Sequence, residues 1–131
     1  MKLKLEIITL DGVYLEDEVD LVCLDTSAGT LTILANHLPL ITNIKISKLY
    51  YKKDGDIETF AIAGGTLFVS EIKCKILTMA IENKNEIDVE RAKKAKERAL
   101  ERLNSHDNNI DVKRAEVALK RALNRVKISS L

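Results

Sequence analysis

All five glycines and the single proline lie before residue 66, and from residue 87 to the C-terminus the chain contains neither. Both residue types punctuate backbone structure, so the first two thirds must turn repeatedly and the last third has nothing to stop a helix. In the first part apolar residues alternate: Leu3, Leu5 and Ile7 in KLKLEII; Val19 and Leu21 leading into VCL; Ile72, Cys74 and Ile76 in IKCKIL. That is the period of a strand with one buried face. Asp11-Gly12, Ser27-Ala28-Gly29, Asp54-Gly55 and Gly64-Gly65 separate the runs and leave room for further short strands such as KLYYK and ETFAIA, with Gly64-Gly65 read as a tight turn or a close backbone approach before the strand TLFVS. Many short strands with no helical pattern between them predict an antiparallel sandwich or flattened barrel over residues 1–86.

Beyond that point Ala, Leu, Lys, Arg and Glu dominate, the composition of a helix former. IDVERA at 87–92 returns as IDVKRA at 110–115, 23 positions later. In each copy an Asp precedes a helical pattern, which makes Asp88 and Asp111 N-caps and marks two helix starts. The helices are predicted over about 88–104 and 111–128, joined by the polar turn NSHDNN, as an antiparallel hairpin with arms of roughly 25 Å. Spacing at 100° per residue puts Ala92, Ala95, Ala99 and Leu103 on one stripe and Ala115, Ala118, Ala122 and Val126 on its counterpart. A seam of small residues buries little apolar area, so the hairpin alone is expected to be marginally stable.

Arg91, Arg98 and Arg102 flank the first stripe, and Arg114, Arg121 and Arg125 flank the second on the same rotational side. A two-fold axis through the hairpin would bring both rows out on one face. Two readings stay open there: a solvated face held by pairs such as Glu90 with Lys94, or an anion site built from fork-shaped guanidinium donors.

Composition excludes several classes. With 21 Lys+Arg against 20 Asp+Glu the formal net charge is +1, so no overall field draws the molecule to nucleic acid or anionic lipid. No apolar run is long enough for a membrane-spanning helix, and MKLKLEIITL has no secretory signal pattern. Cys23 and Cys74 sit in strand-like runs without CxxC or Cys/His spacing, and are read as reduced packing thiols. No phosphate loop, no nucleophile beside a His and no metal-ligand spacing at His37 or His106 is present, so neither catalytic nor metal residues are expected.

TSAGTLTILANHLPLIT (26–42), AIAGGTLFV (61–69), ILTMAIE (76–82) and EIDVERAKKAKERALERL followed by KRALNRV resemble, in order and spacing, the epsilon subunit of bacterial and chloroplast F-type ATP synthases. The resemblance runs from about residue 3 to 127. The chain departs from the family pattern at Thr32 and Ala35, where Gly and Pro are common.

The resemblance implies an α+β chain: a β-sandwich of about ten strands (1–86) that binds the gamma subunit and the c-ring, then a regulatory, ATP-binding helical hairpin (87–131). It implies a non-catalytic rotor subunit on the cytoplasmic face of a bacterial membrane, or the stromal face of a thylakoid, with no insertion into the bilayer. The hairpin would block ATP hydrolysis when it extends into the catalytic alpha/beta hexamer. Thr30, Asn36 and His37 match the loops that meet the ring. Glu82, Ile87, Asp88, Arg91, Ala92, Arg98, Arg121 and Arg125 match an ATP site, with arginines on the phosphates and Glu82, Ile87 and Asp88 toward adenine or ribose. The alternative function is a nucleic-acid-binding module using the arginine face, against which stand the charge balance and only five aromatic residues.

Overall fold

The computed structural model describes residues 1–105 and 108–131; His106 and Asp107, within the polar turn read between the helices, lie outside the described residues. The chain divides into two units, Met1–Asn83 and Lys84–Leu131.

The first unit holds eight strands: β1 (Leu3–Thr9), β2 (Gly12–Val19), β3 (Leu21–Thr26), β4 (Gly29–Ile33), β5 (Leu40–Lys53), β6 (Asp56–Val69), β7 (Lys73–Leu77) and β8 (Ile81–Asn83). They form a continuous sheet in the order β2-β1-β7-β6-β5-β3-β4, with β8 added beside β6. The sheet wraps on itself so that β2 faces β5 and β6, where Tyr14 meets Phe60 edge-on at 6.2 Å and Tyr51 stacks on Phe60 at 5.7 Å. Between the layers lie the inward positions of the alternating runs, among them Leu3, Leu5, Ile7, Leu24, Leu49, Leu67 and Ile76, all buried.

The strands are fewer and longer than about ten short ones. KLYYK is the second half of the 14-residue β5, and ETFAIA is part of the 14-residue β6. Gly64-Gly65 is not a turn but lies inside β6, where the backbone must approach β7 closely. Asp54-Gly55 is the turn that makes the β5–β6 hairpin; both residues have positive φ, 51° and 90°, as a two-residue primed turn requires. The sheet also departs from a purely antiparallel one, because β1 pairs with β7 in parallel, Leu5 beside Cys74 and Ile7 beside Ile76. Cys74 is fully buried there, and burial pushes its thiol up to about 12, so it stays a neutral packing group at physiological pH.

Several charges on the sandwich surface are paired. Lys2 bridges Asp20 at 2.6 Å and Asp54 at 2.7 Å, and Lys53 meets Asp17 at 2.7 Å. Hydrogen bonds from these lysines hold the Asp17 and Asp20 carboxyls below their ordinary range. Their contribution is present above the unfolded carboxyl pKa and is lost as pH falls through the folded one.

After a 3-10 turn at Lys84–Glu86, the second unit contains α1 (Val89–Asn104) and α2 (Val112–Ser129). Asp88 and Asp111 are the N-caps, with near-identical backbones (ψ 97° and 101°), and accept from the Arg91 and Arg114 amides at 3.0 and 3.1 Å. The repeated hexapeptide is therefore one capping device used twice. Ala92, Ala99, Ala115 and Ala122 are buried at matching positions, which confirms the small-residue seam. Replacing either cap by Ala removes a charge-assisted bond to an otherwise free amide. Asp88→Ala and Asp111→Ala should each cost about 1 kcal/mol, read as lower helix content and Tm for the hairpin, with Asp→Asn or Asp→Ser nearly neutral.

Candidate functional site

The residues singled out from the sequence fall on three parts of the fold. Asp88, Arg91, Ala92 and Arg98 occupy the first three turns of α1, and Arg121 and Arg125 the second half of α2. Ala92 is fully buried and Ile87 buried, whereas Asp88, Arg91, Arg98 and Arg121 are exposed and Arg125 half-buried. The side chains of Ala92 and Ile87 are thus packing positions of the fold. Glu82 lies on β8, half-buried, beside Ala61 of β6 in the first unit.

Arg91 and Arg98 are one heptad apart and line a common groove of about 630 Å³ on α1 with Asp88, Glu90, Lys94, Glu97 and Glu101. Arg121 and Arg125 are not among its lining residues. Among the described residues, no carboxylate lies within 4.0 Å of the Arg91, Arg98 or Arg121 guanidinium, in contrast to Lys2, Lys4, Lys53, Lys73 and Lys75 of the sandwich. Exposed guanidinium groups without an ion pair keep their donors free for an incoming anion. Sequence reading took Glu90 only as a partner for Lys94 and gave Glu97 and Glu101 no role. The groove contains all three, and their spacing along α1 was visible.

Thr30, Asn36 and His37 do not form one cluster. Thr30 sits at the start of β4 and donates to Asp25 Oδ1 at 2.8 Å, while Asn36 and His37 follow the other end of that strand. Asn36 takes positive φ (67°), which Asn tolerates, and its side-chain amide reaches the Met1 sulfur at 3.2 Å. His37 Nδ1 donates to the Leu38 carbonyl at 2.6 Å, so the ring is tied to its own loop. Of the two departures from the family pattern, Thr32 lies within β4 and Ala35 is partly buried against the core.

A second concavity, of about 710 Å³, opens on the outer sheet face between Leu40, Ile41, Phe68 and Leu77, with Lys73 and Lys75 at its edge. Ile41 is 70% exposed and opposes Phe68 across the ladder. The outward positions of three adjacent strands build it. Alternation in TLFV and KCKIL carries the signal, but only strand order brings those positions together.

Two protein-family models match the chain in tandem: the ATP synthase delta/epsilon chain beta-sandwich domain over residues 2–84 and the ATP synthase delta/epsilon chain long alpha-helix domain over residues 85–130. Curated relatives include the ATP synthase epsilon chains of Caldicellulosiruptor bescii, 45% identical over 76% of this chain and 73% of the relative, and of Bacillus subtilis, 40% identical over 78% and 77%. Among solved structures, a chain of the Euglena gracilis mitochondrial ATP synthase superposes with a TM-score of 0.82 at 24% identity, covering 94% of this chain and 78% of that one. A central stalk/c-ring chain of the Tetrahymena thermophila mitochondrial ATP synthase gives 0.63 at 15% identity, covering 99% and 95%. At those identities the two structures speak to the fold alone.

Proposed function

The chain belongs to the ATP synthase delta/epsilon family, matched across both of its units, and on that premise we propose that it is a rotor bracket whose helical hairpin binds ATP and restrains ATP hydrolysis. As an epsilon chain it is a non-catalytic subunit of the F-type synthase. Among the described residues no helix is long and apolar enough to cross a membrane. Under this proposal the chain attaches to the complex through protein contacts, on the cytoplasmic face of the membrane. In this reading the sandwich joins gamma to the c-ring; its apolar outer groove supplies surface of the kind a permanent subunit contact buries. The hairpin meets the alpha/beta hexamer when extended.

The observation that carries the ATP reading is a set of exposed arginines with no ion pair among the described residues: Arg91 and Arg98 together in one groove of α1, and Arg121 at the position of α2 that corresponds to Arg98. Arg91, Arg98, Arg121 and Arg125 would hold phosphates, and Ile87 and Asp88 would meet adenine or ribose. Nucleotide binding to the folded hairpin would stabilise it by RT ln(1 + [L]/Kd) and so couple restraint to cellular ATP.

Calorimetric or NMR titration of the intact chain with ATP should show saturable binding, weakened about tenfold or more by Arg91→Ala or Arg125→Ala, the loss of one charge-assisted bond to phosphate. Failure to saturate into the millimolar range, or affinity untouched by both substitutions, would return the arginines to a solvated face. A nucleic-acid module would instead show steep, salt-dependent retention on DNA.

A further inference from the structure

We infer that Glu90 and Glu97 set the anion affinity of the hairpin by holding it low; the inference rests on the ATP reading above. The starting observation is an internal comparison that the repeated capping motif makes exact in register. Shifting α1 by 23 residues onto α2 superposes Asp88 on Asp111, Arg91 on Arg114, Ala92 on Ala115, Arg98 on Arg121 and Ala99 on Ala122. Caps, arginines and buried alanines all coincide, so the two helices present the same scaffold. They differ in the residue before each arginine.

On α1 the pairs are Glu90-Arg91, Glu97-Arg98 and Glu101-Arg102; on α2 they are Lys113-Arg114, Lys120-Arg121 and Asn124-Arg125. The seven residues lining the α1 groove carry three cations and four carboxylates, a net charge of −1. The seven at the shifted positions on α2 (Asp111, Lys113, Arg114, Val117, Lys120, Arg121 and Asn124) carry four cations and one carboxylate, a net charge of +3. Two arginines on α1 are therefore offered to an anion inside a groove whose lining carries a net negative charge.

Packing does not require those glutamates. Glu90, Glu97 and Glu101 are exposed, and no cation lies within 4.0 Å of any of them among the described residues. Glu90 and Glu97 line the same groove as Arg91 and Arg98, so an anion held between those arginines would meet both carboxylates inside a Debye length. Against a triphosphate, each such charge in a solvated, screened setting is worth about three- to tenfold in affinity. Weak binding is what a sensor of a millimolar metabolite needs, because a site saturated at all times reports nothing.

The test is ATP titration, in EDTA to exclude metal bridging, of the intact wild-type chain, Glu97→Gln and the double variant Glu90→Gln/Glu97→Gln. Expected are a Kd about three- to tenfold lower for the single variant and lower again for the double. That gain should shrink at high salt while helix content by circular dichroism stays unchanged. Unchanged or weaker binding by the variants, with wild type binding normally, would overturn the inference and leave the ATP reading standing. No binding by any of the three proteins would overturn the ATP reading itself.

Discussion

Removing residues 87–131 should raise ATP hydrolysis by the reconstituted synthase several-fold while the shortened chain still assembles with gamma. The expectation divides the chain where its own packing does. Among the described residues, the sandwich core runs from Leu3 to Ile76 with Ile81 packed against it, and no residue beyond Ile81 joins that cluster. Eight strands close around it with their own hydrogen bonds, so the truncated chain keeps the features that fold it. The matched buried positions of the two hairpin helices, by contrast, are alanines, Ala92, Ala99, Ala115 and Ala122, each of which buries far less apolar area than a leucine; Ile87 and Ile128 are the larger buried side chains among the described residues of that unit. An element of such low stability can exchange between arrangements at small cost, and a restraint built from it can be set or released by a few kcal/mol. Hydrolysis assayed at low ATP should respond most, since nucleotide would hold the wild-type hairpin folded and unrestraining at high ATP. Hydrolysis unchanged by truncation at every ATP concentration would remove the hairpin as the restraint; loss of gamma from a folded truncated chain would instead overturn the role of the sandwich.

How far this architecture was legible differs between its halves for a physical reason. Helix caps and the alanine stripe are local: Asp88 and Asp111 act on amides three residues away, so sequence places both helices to within a residue. Sheet structure is not local. KLYYK and ETFAIA read as separate short strands, yet β5 and β6 each run unbroken for 14 residues, and the one glycine pair inside them, Gly64-Gly65, reads equally well as a turn. The parallel pairing of β1 with β7 joins residues about 70 positions apart, and no spacing in the sequence announces it. The same division holds for the candidate site. Arg91 and Arg98 share a groove because they share a helix, and the seven-residue spacing states that directly. Thr30 and Asn36 lie six residues apart yet at opposite ends of β4, since an extended strand separates what a helix would bring together.

Gly65→Ala should be the most damaging single substitution in the sandwich. A Cβ built on Gly65 would stand 2.1 Å from the carbonyl oxygen of Leu77, 3.1 Å from its carbonyl carbon and 3.2 Å from Thr78 Cα. All three are backbone atoms, so no rotamer change relieves the clash. Leu77 is itself fixed: it opposes Thr66 in the β6–β7 ladder, and the next residue, Thr78, donates its amide to Ile8 and its hydroxyl to the Gly64 carbonyl at 2.6 Å. The backbone conformation is a second obstacle, because φ at Gly65 is +147°, a region that residues with a Cβ rarely occupy. Overpacking costs about 1–3 kcal/mol and an unfavourable backbone region about 1–3 kcal/mol, so the variant should lose about 2–6 kcal/mol. Gly12→Ala isolates the second term: its φ is +111°, but nothing lies within 4 Å of the added atom. Thermal unfolding followed by near-ultraviolet dichroism, which reads the packed Tyr14, Tyr51 and Phe60 rings, should show Gly65→Ala falling by more than about 10 °C and Gly12→Ala by clearly less. Equal losses at the two glycines would mean that backbone conformation, and not the close approach of β6 to β7, is what reserves position 65 for glycine.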